Sequence, residues 1–272
     1  MATLATVYKK LPSSYLAITA LPAARENTAG SLNNAGYGSN VMAVAGGDSG
    51  GADTATTYRL VGGVAWSTDA AVTTARSYPN GCAFNQLFYV YGGQNSSTDV
   101  ATSYRFNLAS YSQGANPFGV GISEDVSVFA PSVNLMLLCC GRSNGSAADV
   151  NETVTAAEVF TTAGTIGYNR TRSFGGYIAG SVYRMGGGPD ADPANSLTTA
   201  GAYNFSSWSA KNAIPVAIGL AACTLDGAGL SIIGGRGLAG SATSIVTNYN
   251  GVSFTTSAAQ PTATYNSGAS TV

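Results

Sequence analysis

Histidine is absent from this 272-residue chain, lysine occurs three times, and charged side chains of every kind make up 9 %, against about a quarter in ordinary domains. Each shortage removes a class of chemistry. Without imidazole there is no His-based general acid–base catalysis, no Ser-His-Asp or Cys-His nucleophile and no imidazole metal ligand. A net charge of −1 with no basic stripe excludes nucleic-acid binding by phosphate neutralisation. No apolar run reaches the ~18 residues of a membrane-spanning helix, so no membrane span is expected. The opening "MATLATVYKKLPSS" has no apolar core of roughly 7–15 residues and is expected to carry no secretory leader. The four cysteines, Cys82, Cys139, Cys140 and Cys223, form no C-x-x-C pair and lie in apolar strand-like runs. They read as buried, reduced thiols rather than disulfides or metal ligands.

Glycine (35 residues), alanine, serine, threonine and asparagine fill the space left by charge. The glycines are ordered. "VMAVAGG", "LFYVYGG", "LMLLCCG", "VYRMGG" and "LSIIGG" end on Gly47, Gly93, Gly141, Gly187 and Gly235, at spacings of 46, 48, 46 and 48. A period so constant means one supersecondary unit repeated along the chain. After each glycine comes a polar loop, then a strand centred on Tyr58, Tyr104, Val159, Tyr203 or Tyr249. A second aromatic follows at Trp66, Tyr111, Tyr168, Trp208 or Phe254. A further apolar stretch precedes each glycine strand across a short turn such as "NQ" at 85–86. Each unit therefore reads as four short antiparallel strands, and the double glycine as a strand end in a backbone conformation barred to residues with a Cβ.

The order of apolar strand, double glycine, then Tyr and Trp several residues apart resembles the kelch repeat, over nearly the whole chain. Cys140 replaces one glycine, and true tryptophan occurs in only two repeats. The resemblance implies an all-β fold, a kelch-like β-propeller with one four-stranded antiparallel blade per repeat. The segment 7–27 looks like the second half of a repeat and 261–272 like the beginning of another. The expected architecture is thus one domain over 1–272 with six blades. The ring would be closed by a composite blade from 1–27 and 261–272; five blades with extra terminal strands is the alternative.

Sites are sparse. Copper oxidases built on kelch-type propellers use histidine ligands, which this chain lacks, and the S-x-D-x-G-x-T-W box of sialidases is missing. Paired carboxylates (Asp48 with Asp53, Glu124 with Asp125, Asp190 with Asp192) are the remaining route to glycoside hydrolysis. They read first as turn residues, because aspartate bonds to nearby backbone in turns. From second glycine to strand centre the loops span 11, 11, 18, 16 and 14 residues. The enlarged loops 142–158, 188–202 and 236–248 are therefore the expected binding surface, with Arg142, Asn144, Asp149, Glu152, Asp190, Asp192, Asn195 and Arg236 as its contact residues. Arg59 and Arg105, placed after the strand tyrosines, read as structural.

No cofactor is expected. The composition points to a non-enzymatic structural or binding protein of a virus particle, such as a bacteriophage tail, fibre or capsid-decorating component. Its partners would be other virion proteins or a host-surface receptor or glycan, within an oligomeric assembly. The alternatives are a carbohydrate-active enzyme using paired carboxylates, and a cytoplasmic kelch-type adaptor.

Overall fold

The computed structural model describes residues 7–10, 15–18, 20–33, 41–62, 64–124, 126–139, 141–189, 197–226, 229–237, 241–257, 259 and 263. They are strand and turn throughout, apart from one 3-10 turn at Pro117–Gly119. Five four-stranded antiparallel sheets recur in chain order, consistent with the blades of a propeller-like fold. The chain falls into two compact units that divide between Ser123 and Glu124. The first unit holds the sheet Ala29–Asn33, Val41–Ala45, Thr57–Val61, Ala65–Asp69 and the sheet Asn80–Phe84, Leu87–Tyr91, Ser103–Phe106, Tyr111–Gln113. The second unit holds three. They are Val126–Ala130, Leu135–Cys139, Asn151–Val154, Phe160–Thr162; then Phe174–Ile178, Ser181–Met185, Ala200–Tyr203, Trp208–Lys211; and Ala222–Asp226, Gly229–Ile233, Val246–Tyr249, Phe254–Thr256. In the first unit Val7–Lys10 also pairs with Tyr15–Ile18. The residues that would bring both termini into one closing blade lie largely outside the described ones.

Register identifies the residue that builds each sheet. On the third strands Leu60, Phe106, Val154, Tyr203 and Tyr249 face Met42, Phe88, Met136, Val182 and Leu230 on the second strands. All five are buried. Opposite them on the fourth strands stand Trp66, Tyr111, Phe160, Trp208 and Phe254. Three of these cross-strand pairs bring aromatic rings together, with centroids 4.7 Å apart for Phe106–Tyr111, 5.2 Å for Tyr203–Trp208 and 4.3 Å for Tyr249–Phe254. Such pairs hold a sheet beyond simple area burial. Two sequence assignments change here. In the third repeat Val154 and Phe160 occupy the positions expected for Val159 and Tyr168. Val159 instead lies in the turn before the fourth strand, and Tyr168 lies beyond it.

Neighbouring sheets within a unit pack through their first strands, where small residues allow close approach. Gly81 is one case: a Cβ there would stand 2.8 Å from that of Ala29 and 2.9 Å from the Phe88 ring. Cores of interdigitated side chains fill the space behind, around Phe88, Val90 and Phe106 in the first unit and around Met185, Leu230 and Tyr249 in the second. Cys82 and Cys139 are buried free thiols and Cys223 is a partly buried one.

The double glycines take the left-handed conformation that the sequence suggested, with φ of 53° and 102° at Gly92 and Gly93. A Cβ on Gly92 would also overlap the Ile122 carbonyl oxygen. Gly50, at φ 66°, has open space around its Cβ position. Gly50→Ala should therefore cost about 1 kcal/mol from backbone strain alone. Gly92→Ala should cost ~3 kcal/mol or more, because it adds overpacking to that strain. Urea unfolding of the two variants measures the difference; equal losses would mean that close approach contributes nothing.

Burial pushes the Cys223 thiol up to about 12, and burial with Tyr183 alongside pushes the Tyr249 phenol up to about 12. Their ordinary values are 9.0 and 10.0. Both groups therefore ionise more easily unfolded than folded, so their contribution is intact below pH 9 and is lost as pH rises toward 12. The melting temperature should begin to fall above about pH 9, and Cys223→Ala should delay that fall.

Candidate functional site

The enlarged loops expected from the sequence are not enlarged. The third strand opens at Thr57, Ser103 and Asn151, ten residues after Gly47, Gly93 and Gly141. The 18-residue span in the third repeat came from taking Val159 as the strand centre. Residues 142–158 hold a tight hairpin, Arg142–Ser143 with Ser146–Ala147, and then the strand Asn151–Val154. Arg142 is half-buried in that hairpin and Asn144 is exposed at its turn with φ 48°. Glu152 lies within the sheet opposite Leu138 and Thr162. Arg236 begins a two-residue strand paired with Ile218–Gly219. Asp190, Asp192 and Asn195 lie outside the described residues, as does Asp125.

Asp149 has a structural task. Its Oδ1 accepts from Arg184 Nη1 at 3.2 Å and from Asn151 Nδ2 at 3.3 Å, and its Oδ2 from the backbone N–H groups of Gly167 and Tyr168 at 2.6 and 3.1 Å. The carboxylate pair Asp48 and Asp53 faces across a hairpin. Asp48 Oδ1 accepts from Gly51 N–H and Asp53 Oδ2 from Ser96 N–H, each at 2.7 Å, which is the work of turn residues. Arg59 pairs with Asp69 at 3.0 Å and Arg105 donates to the Gln113 carbonyl at 2.8 Å, so both are structural. Burial raises the Asp69 carboxyl above its ordinary value, while Arg59 opposes the rise.

Two repeated features went unread in the sequence. The first is an arginine strap on the segment leading into a sheet. Arg25 Nη1 donates to the Gly46 carbonyl at 2.9 Å, Arg76 Nη1 to that of Gly92 at 2.6 Å, and Arg170 Nη1 to that of Gly186 at 3.2 Å. Each thus satisfies the carbonyl of the first glycine of a pair. Arg25 and Arg76 also lie over the rings of Tyr58 and Tyr104, at 4.7 and 4.9 Å from the centroid, a cation–π contact in a dry setting. The signal was present in "AAREN", "TARSY" and "YNRTR". The remaining two sheets have Ile122 and Ile218 at this place.

The second feature lies two residues further on. Asn27, Tyr78, Glu124, Arg172 and Leu220 all take left-handed φ, of 55°, 52°, 54°, 58° and 54°. Within the units their backbones are linked, Tyr78 N–H to Asn27 O at 2.9 Å, Arg172 N–H to Glu124 O at 3.3 Å, and Leu220 N–H to Arg172 O at 2.8 Å. Left-handed backbone is disfavoured for every residue with a Cβ and most for bulky ones. One position in five repeats therefore keeps one strained backbone and carries five different side chains. Glu124 pairs with Arg172 Nε at 3.2 Å. Its Oε2 is buried with no hydrogen-bond partner among the described residues, and so is Asn27 Oδ1. No group of three or more potential metal ligands occurs among the described residues.

No family model and no curated protein matches the chain. Solved structures do match, among them the structure of YjhT, at a TM-score of 0.76 and 12 % identity over 93 % of this chain and 91 % of that one. The likeness is one of fold.

Arg76 is fully buried and donates from all three nitrogens, to Thr74 O, Gly92 O, Thr102 O and Thr102 Oγ1. Burial lowers its pKa, with Tyr104 opposing. A lysine has one nitrogen where this fork has three. Arg76→Lys should therefore cost ~2–4 kcal/mol in a denaturant titration despite keeping the charge.

Proposed function

We propose that the chain is a kelch-like propeller of six blades, the sixth formed by both ends of the chain, and that it serves as a non-enzymatic binding protein. The observation that carries this reading is the inner left-handed position. A repeat that needed only the backbone bend would use glycine there, as it does at the glycine pairs. Holding Tyr78, Glu124, Arg172 and Leu220 in left-handed backbone costs ~1 kcal/mol or more at each. The strain is offset only if those side chains are wanted where the bend aims them. Glu124 Oε2 and Asn27 Oδ1, buried without a hydrogen-bond partner among the described residues, are acceptors that a donor on a bound molecule would satisfy.

Catalysis by paired carboxylates is the weaker reading. Asp48 and Asp53 are engaged in turns, and Glu124 is held by Arg172. The low charge, three lysines and small-polar composition favour a place in a virus particle, with other particle proteins or a host-surface receptor as partner. Mass spectrometry of particles purified from the source culture should find the chain in fixed stoichiometry with the capsid or tail proteins. Its absence from the particles would remove the virion setting. Incubation with glycosides should release no sugar; release that Glu124→Gln abolishes would overturn the non-enzymatic reading.

A further inference from the structure

The fourth sheet breaks the strap pattern in a way that leaves a ligand position. In the first two sheets the strap arginine is satisfied at both ends. Arg25 Nη2 reaches Tyr58 Oη at 3.3 Å, and Arg76 Nη2 reaches Thr102 Oγ1 at 2.9 Å. The fourth sheet keeps the threonine as Thr199 but has Gly201 where the others have Tyr58 and Tyr104. It also has Arg184 where they have Val44 and Val90, as the strand register shows. Arg170 Nη1 still reaches Gly186 O and Thr199 O, at 3.2 and 3.4 Å. Its Nε and Nη2, and Thr199 Oγ1, are buried without a hydrogen-bond partner. The Arg170 side chain is fully buried.

Charge points the same way. Arg184 is neutralised by Asp149 and bonded to Ser173 Oγ and Asn151 Oδ1. Asp149 is itself filled by its four donors, so Arg170 has no counter-charge of its own. Burial first, then the neighbouring Arg184, lower the Arg170 pKa to about 10, against the smaller opposing effects of Asp149, Cys139 and Tyr168. Two unmet donors on a buried cation carry a desolvation cost that a bound anion would remove.

The geometry points to a carboxylate-binding site at Arg170, one that takes the head group of a small organic acid. Nε and Nη2 form one straight edge of the guanidinium, the edge that pairs side by side with the two oxygens of a carboxylate. Thr199 Oγ1 adds a hydroxyl donor. Tyr168 lies over the guanidinium, its ring centroid 5.5 Å away, and is 47 % exposed. Rotation of that one surface side chain opens the edge to solvent.

Formate is the smallest probe of this geometry. Titrated at constant ionic strength against chloride, it should raise the melting temperature saturably by about 4 °C. Arg170→Lys, which keeps the charge and loses the fork, should abolish the rise. Thr199→Val, which leaves the strap to the glycine carbonyl intact, should weaken apparent formate affinity about tenfold. A rise of equal size in the wild type and both variants would be a general salt effect and would overturn the site. So would no rise in the wild type. If Arg170→Lys does not fold, the Thr199→Val comparison decides alone.

Discussion

Two atoms of each glycine pair hold successive sheets together. The carbonyl of the first glycine accepts an arginine from the segment that precedes its sheet, as at Gly46, Gly92 and Gly186. The N–H of the second glycine donates to the carbonyl of the segment that follows, from Gly47 to Arg76 at 2.8 Å, Gly93 to Ile122 at 2.7 Å and Gly187 to Ile218 at 3.0 Å. The pair is thus a knot tied in both directions, and both of its residues must be left-handed for the two groups to point apart. Sheet spacing, the course of each linking segment and the burial of the arginines all follow from that geometry.

The site depends on the same knot. Because each linking segment is fixed by a bond at residue 76, 122 or 218, the residue two positions on is fixed as well. The strained Tyr78, Glu124 and Leu220 are held by the same tie that joins the sheets. Rigid placement of unlike side chains on like backbones lets one scaffold present a tyrosine, a carboxylate, a guanidinium and an aliphatic chain, each from the corresponding place in its own repeat. The arginine straps belong to the scaffold, and Arg170 stands between the two roles. It still ties Gly186, yet the exchange of Tyr for Gly201 and Val for Arg184 leaves half of its donors unmet.

Glycine spacing made the repeat legible, because a double left-handed turn has almost no substitute for glycine. The strands were legible where aromatics marked them. They were misread in the third repeat, where Val154 fills the buried position without a ring, and a search for rings passed on to Val159 and Tyr168. That slip created an apparent long loop and drew Arg142, Asn144, Asp149 and Glu152 into a binding surface, whereas Asp149 and Glu152 lie in a buried network and a sheet. The inner positions left no trace in the sequence, since Tyr, Glu, Arg and Leu do not announce left-handed backbone. The strap arginines did leave one. Arg76 and Arg170 each stand 17 residues before the second glycine of the pair they serve; the longer interval after Arg25 hid the pattern.

A scaffold tied through main-chain carbonyls and amides asks little of its side chains. The bond from Gly93 to Ile122 and the bond from Gly47 to Arg76 differ in residue type but share the same atoms. Once the glycines, a few buried apolar positions and the turn residues are in place, the remainder of each repeat is free to drift. The five units of this chain have already lost most of their mutual likeness while keeping one register. The same freedom, acting between separate lineages, accounts for a backbone that superimposes on YjhT at a TM-score of 0.76 when only 12 % of the residues agree.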